Sequence, residues 1–180
     1  MLAQLAVLAR PFLNLPYVRR TRRNHGLEHA TIHLLSRHQY RLSGRSSDTG
    51  FVLLGDVPTE AVERAVHEAL RRMRAGEHNL AVHPNCGTNL VTTSLLATLV
   101  GLAGLSGANR RDSFSRMPLV MILMMGVILY SQPLGLSLQK YFTTEGDPGD
   151  LEVLGISRSE IRLPISDHPL TVHRVETQSS

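Results

Sequence analysis

A chain of 180 residues is long enough for one modest domain with additional segments, and too short for two large domains. The formal net charge is +4, but the chain has only four Phe, four Tyr and no Trp on which nucleic-acid bases could stack. We therefore expect no nucleic-acid partner. The single cysteine, Cys86, excludes an internal disulfide and fits a reducing compartment.

Residues 1–23 predict an amphipathic anchor that lies on a membrane surface. Apolar residues recur at roughly helical spacing over the first 17 positions, and four arginines follow them: Arg19, Arg20, Arg22, Arg23. Residues 1–41 contain seven Arg and only one acid, so we expect these arginines among anionic lipid headgroups. A helix packed on a soluble core is the alternative. The segment differs from an ordinary secretory signal, because its apolar run is short and its positive charges follow that run.

A helix predicted from about residue 24 to about residue 37 carries the stretch His-Gly-Leu-Glu-His. His25 and His29 are four residues apart, so both imidazoles lie on one helix face and can reach one metal ion. Glu28 lies beside them, where a carboxylate can orient or deprotonate a water molecule. His33, one turn later, is a possible further neighbour.

The following segments predict a small βαβ unit. Residues 43–50 are rich in turn formers and predict a loop, residues 51–54 a buried strand, residues 59–75 an amphipathic helix, and residues 80–82 a second strand. A strand, a helix and a strand within about 30 residues indicate a right-handed crossover. His83 would then follow the carboxyl end of a strand, where α/β folds commonly place functional groups.

A second stretch, His-Pro-Asn-Cys-Gly at residues 83–87, adds an imidazole and a thiol. Cys86 precedes a predicted helix start, where the positive end of the helix dipole favours a thiolate. His67 and His78 are expected to lie outside this site, because the first belongs to the amphipathic helix and the second follows its end.

The candidate ligands are His25, His29, His83 and Cys86, and this donor set suits zinc or another divalent metal ion. Four protein ligands would make a closed structural site. Three would leave one position for water, and Glu28 would then be a plausible general base. The alternative is that the histidines lie beside lipid headgroups and that the cysteine is merely a small buried residue.

Two charge-free runs predict a transmembrane hairpin. No Asp, Glu, Lys or Arg occurs in residues 78–109 or 117–139, and a bilayer-spanning helix needs about 20 apolar residues. We expect helices over 89–108 and 117–138, with a soluble hydrophobic hairpin as the alternative. An even number of spans places both ends on one side of a cell membrane. We expect the soluble part in the cytoplasm, although the positive-inside rule favours the reverse.

The last segment, residues 139–180, is acidic and rich in turn residues. Residues 151–156 and 170–175 predict short strands. His168 and His173 are expected at the surface rather than among the ligands.

The expected fold class is therefore membrane α+β. A small βαβ-type unit with a motif helix, residues 24–88, would stand on the two-helix transmembrane hairpin, residues 89–138. The expected partner is the lipid bilayer, including anionic headgroups. The sequence does not predict a protein partner or an oligomeric state.

The two stretches NHGLEHATI and HPNCGTNL, the second running into a hydrophobic helix, resemble the YqhQ-like family of uncharacterised bacterial membrane proteins. The resemblance covers about residues 24–105. It implies a metal-dependent enzyme and site roles for these residues: His25, Glu28, His29, His83, Cys86. The chain departs from that family by a longer insert between the stretches. Insulinase-like peptidases are similar in the H-x-x-E-H pattern only.

Two functions are compatible with these features. The protein could be a metal-dependent hydrolase that acts on a peptide or lipid-linked group at the membrane surface, with Glu28 activating water. It could instead be a membrane-bound structural or regulatory module whose metal has no catalytic role. The number of protein ligands on the metal would separate the two.

Overall fold

A computed structural model describes residues 1–162 and 169–180, and the predicted surface residue His168 lies outside them. The chain divides into two compact units. The first joins Met1–His83 with Lys140–Ser180, and the second is Pro84–Gln139.

The first unit combines helices with a four-stranded sheet. Its helices and strands are these: α1 Leu2–Leu8, α2 Arg10–Leu13, α3 Pro16–Ser36, β1 Ser43–Ser47, β2 Gly50–Leu54, α4 Thr59–Arg74, a 3-10 helix His78–Ala81, β3 Glu152–Ile161 and β4 Leu170–Gln178. A π-helical turn, Gln139–Thr143, lies at the junction with the second unit.

The sheet is antiparallel throughout, in the order β1-β2-β4-β3. The predicted βαβ crossover is therefore wrong, because the partner of β2 is β4, near the other end of the chain. Residues 80–82 do not form a strand. Leu80 and Ala81 are buried within the 3-10 helix, and a three-residue apolar run does not distinguish a buried turn from a strand.

The predicted loop at residues 43–50 is wrong for most of its length, because β1 pairs with β2 from Ser43 opposite Leu54 to Ser47 opposite Gly50. β1 is an edge strand, so its small polar side chains need not be buried. The strand at 51–54 and the helix at 59–75 are confirmed within one or two residues.

The two C-terminal strands are confirmed and are longer than predicted. β4 lies between β2 and β3, which buries several of its side chains. His173 is one of them. Its side chain is completely buried, and its Nε2 lies 3.1 Å from the Thr59 hydroxyl at the start of α4. The expectation that His173 lies at the surface is therefore wrong.

One hydrophobic core connects the helices and the sheet of this unit. α4 supplies the apolar stripe that its sequence predicts: Val62, Ala65, Val66, Ala69, Leu70, Met73. Leu27 and Ala30 of α3 and Phe51 and Leu53 of β2 pack into the same cluster. The motif helix is thereby fixed on the sheet by side chains that alternate with its histidines.

α3 begins at Pro16, about two turns before the expected start, and proline is well suited to the first position of a helix. The helix therefore includes all four clustered arginines. Arg22 is buried and forms an ion pair of 3.0 Å with Glu145, while Arg23 pairs with Asp150 at 2.6 Å. These two guanidinium groups are bound within the unit, and Arg19 also donates to the carbonyl oxygen of Ser180 at 3.2 Å.

The second unit is a pair of helices, α5 Gly87–Leu105 and α6 Arg110–Leu138, joined by a four-residue turn. Most of their large apolar side chains are exposed. The helices contact each other through polar groups as well, since the hydroxyls of Thr93 and Ser131 lie 2.6 Å apart and Gln139 donates to Asn89 at 3.0 Å. By length and composition, Gly87–Leu105 and Arg110–Thr143 could each cross a membrane.

Candidate metal centre

The two motif histidines of α3 are held in the same tautomer. His25 Nδ1 lies 2.9 Å from the carbonyl oxygen of Thr143, and His29 Nδ1 lies 2.8 Å from that of Ala81. A carbonyl oxygen can only accept a hydrogen bond, so Nδ1 carries the proton in the neutral form of each ring and Nε2 then carries the lone pair. Histidine ligands of metals are commonly oriented in this way.

The three histidines of the two stretches lie close together. The ring centroids of His25 and His29 are 4.3 Å apart, and those of His29 and His83 are 6.1 Å apart. His29 is only 3% exposed. Burial, together with the charges of His29 and His33, lowers the pKa of His83, which favours its neutral form. Neutral imidazole is the form that binds a metal ion.

A glycine in the motif allows a second segment to approach α3. A Cβ atom at Gly26 would collide with the carbonyl oxygen of Glu145. The same segment is fixed by Arg22, whose carbonyl accepts from the Glu145 N–H at 2.9 Å and whose guanidinium donates to Thr144 O at 3.1 Å. This close packing places the Thr143 carbonyl where His25 can donate to it.

Glu28 is buried and points toward β1. Its side chain is 4% exposed and accepts a hydrogen bond from the hydroxyl of Ser46. A Cβ atom at Gly44 would collide with its carboxylate, so the edge strand closes over it. Burial raises the pKa of Glu28, and the Ser46 hydrogen bond and the charge of His25 oppose that shift only in part. The group therefore holds a proton more tightly than an exposed glutamate.

His25 and His29 of the first unit and Cys86 of the second are residue types that could hold a metal ion. Two imidazoles and a thiol are common ligands of zinc, although they do not identify the ion. Cys86 follows His83 by only three residues. It is buried and caps α5, where its sulfur accepts from the Thr88 N–H at 3.4 Å.

The sequence did not predict the groups that orient these side chains. The carbonyls of Ala81 and Thr143 have no sequence signature, and Gly44 and Ser46 fell within the expected loop. His33 is half-buried, and its Nε2 lies 3.3 Å from Arg37. His67 is exposed on α4, and His78 begins the 3-10 helix.

Residues 20–156 match a family described as a domain of unknown function, DUF6391. The chain belongs to this family. The match includes both the His-Gly-Leu-Glu-His and the His-Pro-Asn-Cys-Gly stretches. The match confirms the expectation that the chain belongs to an uncharacterised family. It does not support the assignment to the YqhQ-like family.

The chain is also similar to an uncharacterised cyanobacterial protein. An uncharacterized protein of Picosynechococcus sp. is 46% identical over 94 residues, a match that covers 46% of this chain and 45% of the relative. The match thus spans less than half the length of that curated relative. No solved structure matches the chain.

Proposed function

We propose that this DUF6391 chain is an integral membrane protein that binds one divalent metal ion, zinc by preference, and acts as a hydrolase at the membrane surface. The observation that carries the proposal is the shared tautomer of His25 and His29. Both Nδ1–H groups donate to main-chain carbonyls, so in the neutral rings the lone pair lies on Nε2, and the two side chains are one turn of α3 apart. A pair of surface histidines beside lipid headgroups would not need this arrangement.

The proposed ligands are His25, His29 and Cys86, with His83 as a fourth candidate. The thiol supports zinc over magnesium or calcium, which prefer oxygen ligands. Its position at the start of α5 favours the thiolate that a metal requires. The short spacing from His83 to Cys86, three residues across Pro84, is also typical of zinc-binding turns.

The hydrolase proposal depends on Glu28. A bound divalent ion would polarise a carbonyl or phosphoryl oxygen of the substrate. Glu28 would accept a proton during the reaction, because burial has already raised its pKa and the Ser46 hydroxyl fixes one carboxylate oxygen. The substrate would be a peptide or lipid-linked group, since the chain has two helices long enough to span a bilayer.

A second function, a membrane-bound structural or regulatory module, is favoured by the position of His83. Its ring lies 6.1 Å from that of His29, near enough for a small side-chain movement to make it a fourth protein ligand. A metal with four protein ligands would have no position for substrate. In that case the metal would stabilise the fold, and Glu28 would have only its structural contact with β1.

Glu28→Gln separates the two functions, because glutamine keeps the shape of the side chain but cannot accept the proton. Purified variant protein should retain the metal of the wild type, while a strain that depends on this gene should lose growth or its other phenotype. X-ray absorption at the metal edge provides the second measurement. An oxygen donor beside nitrogen and sulfur supports the hydrolase. Four nitrogen and sulfur donors, together with a fully functional Glu28→Gln variant, would contradict it.

A further inference from the structure

The first helix of the chain has an apolar surface that the described structure does not cover. α1 contains no charged residue and no buried residue. Large apolar side chains of α1, α2 and the residues around them are exposed: Met1, Leu5, Val7, Leu8, Phe12, Leu15, Tyr17. Leu8 is 78% exposed and Phe12 is 62% exposed. Contiguous apolar surface of this kind marks a contact with a membrane or a protein.

The charge of the same region identifies the partner. Residues 1–27 contain five arginines and no acid. Arg22 and Arg23 have carboxylate partners within the unit, whereas no ion pair involves Arg10 or Arg20 among the residues the structure describes. Cations flanking an uncharged apolar helix fit an anionic lipid surface, because the apolar side chains enter the acyl boundary while the arginines contact headgroups.

We propose that α1 and α2 lie in the interface of an anionic bilayer, with Leu8 and Phe12 inserted and Arg10 and Arg20 at the phosphates. Leu13 of α2 is only 7% exposed, so this part of the segment is buried and is not available for insertion. This contact would be separate from the membrane-spanning hairpin and does not require the metal site. It would hold the first unit, with α3 and its histidines, beside the lipid surface.

The absence of tryptophan makes a direct test possible. Leu8→Trp in the full chain places the only indole on α1, and Glu63→Trp, on the exposed face of α4, is the matched control. Both variants are reconstituted into vesicles of phosphatidylcholine with or without phosphatidylglycerol, some prepared with brominated acyl chains. We expect brominated lipid to reduce the Leu8→Trp emission by about half or more in anionic vesicles, because an interfacial helix buries its apolar face at this depth. The Glu63→Trp emission should not change.

The arginines are tested in the same vesicles. Arg10→Glu with Arg20→Glu should reduce the quenching of Leu8→Trp severalfold, and so should phosphatidylcholine alone. Equal quenching in both kinds of vesicle would overturn the role of the arginines. An indole that is shielded but not quenched, with emission that depends on protein concentration, would show that a second copy covers α1 and would overturn the proposal. Phe12→Trp gives an independent reading if Leu8→Trp does not fold.

Discussion

Gly26→Ala would test how closely the motif helix depends on its neighbouring segment. The new methyl group would collide with the carbonyl oxygen of Glu145 and would lie 3.3 Å from the Ala81 Cβ atom. Alanine raises helix propensity by about 1 kcal/mol relative to glycine. Overpacking costs about 1–3 kcal/mol, and a clash with main chain lies at the upper end because main chain cannot rotate away. We therefore expect a net loss of about 1–2 kcal/mol of unfolding free energy.

The same substitution should weaken metal binding. Moving residues 143–145 away from α3 would remove the carbonyl that orients His25, and loss of such outer contacts reduces metal affinity about 10–100-fold. Denaturant unfolding in detergent and competition with a chelator measure the two effects. Gly155→Ala is the control, because a Cβ atom there would meet nothing within 4 Å and its cost should stay below about 0.5 kcal/mol. A Gly26→Ala protein with wild-type stability and affinity would refute the reasoning.

Three further predictions concern stability and topology. Arg22→Ala should cost about 1–3 kcal/mol in denaturant unfolding, because it breaks a largely buried ion pair, whereas Arg71→Ala, in an exposed pair, should cost less than about 0.5 kcal/mol. Burial, and then the charge of Arg158, lowers the pKa of His173 below the usual value of about 6.5, so the contribution of this residue to stability should be complete above about pH 6.5 and should decline at lower pH. His173→Gln should flatten that decline in unfolding titrations, and an unchanged slope would contradict the assignment. If the first unit is cytoplasmic, an impermeant thiol reagent should label Ser106→Cys in a Cys86→Ala background on intact cells. Protection of that cysteine would reverse the orientation.

Local sequence patterns predicted the elements that depend on local periodicity. The stripe from Val62 to Met73 repeats at helical spacing and forms α4, and the expected helices at 89–108 and 117–138 lie within or overlap α5 and α6, although α6 begins seven residues earlier, at Arg110. The strands at the C-terminus were also predictable from their apolar residues. A local pattern does not indicate which strand a given strand pairs with. The antiparallel pairing of β2 with β4 could therefore not be predicted from the sequence.

The errors have the same origin. Ser43–Ser47 has the composition of a loop and forms a strand only because β2 supplies hydrogen-bonding partners. His173 is polar and was expected at the surface, but the central position of its strand buries it. In the candidate centre, the candidate ligands could be predicted from residue type and spacing. The carbonyls of Ala81 and Thr143 could not, because only tertiary packing positions them.

The central claim is that His29 and Cys86 bind the same metal ion, and metal content per chain tests it most directly. The protein is purified in detergent without chelators as wild type, His29→Ala, Cys86→Ala and the control His67→Ala, whose histidine is exposed on α4. We predict about one zinc per chain in the wild type and the control, and little in the other two variants. A wild type that carries no metal and does not bind added zinc would contradict the account.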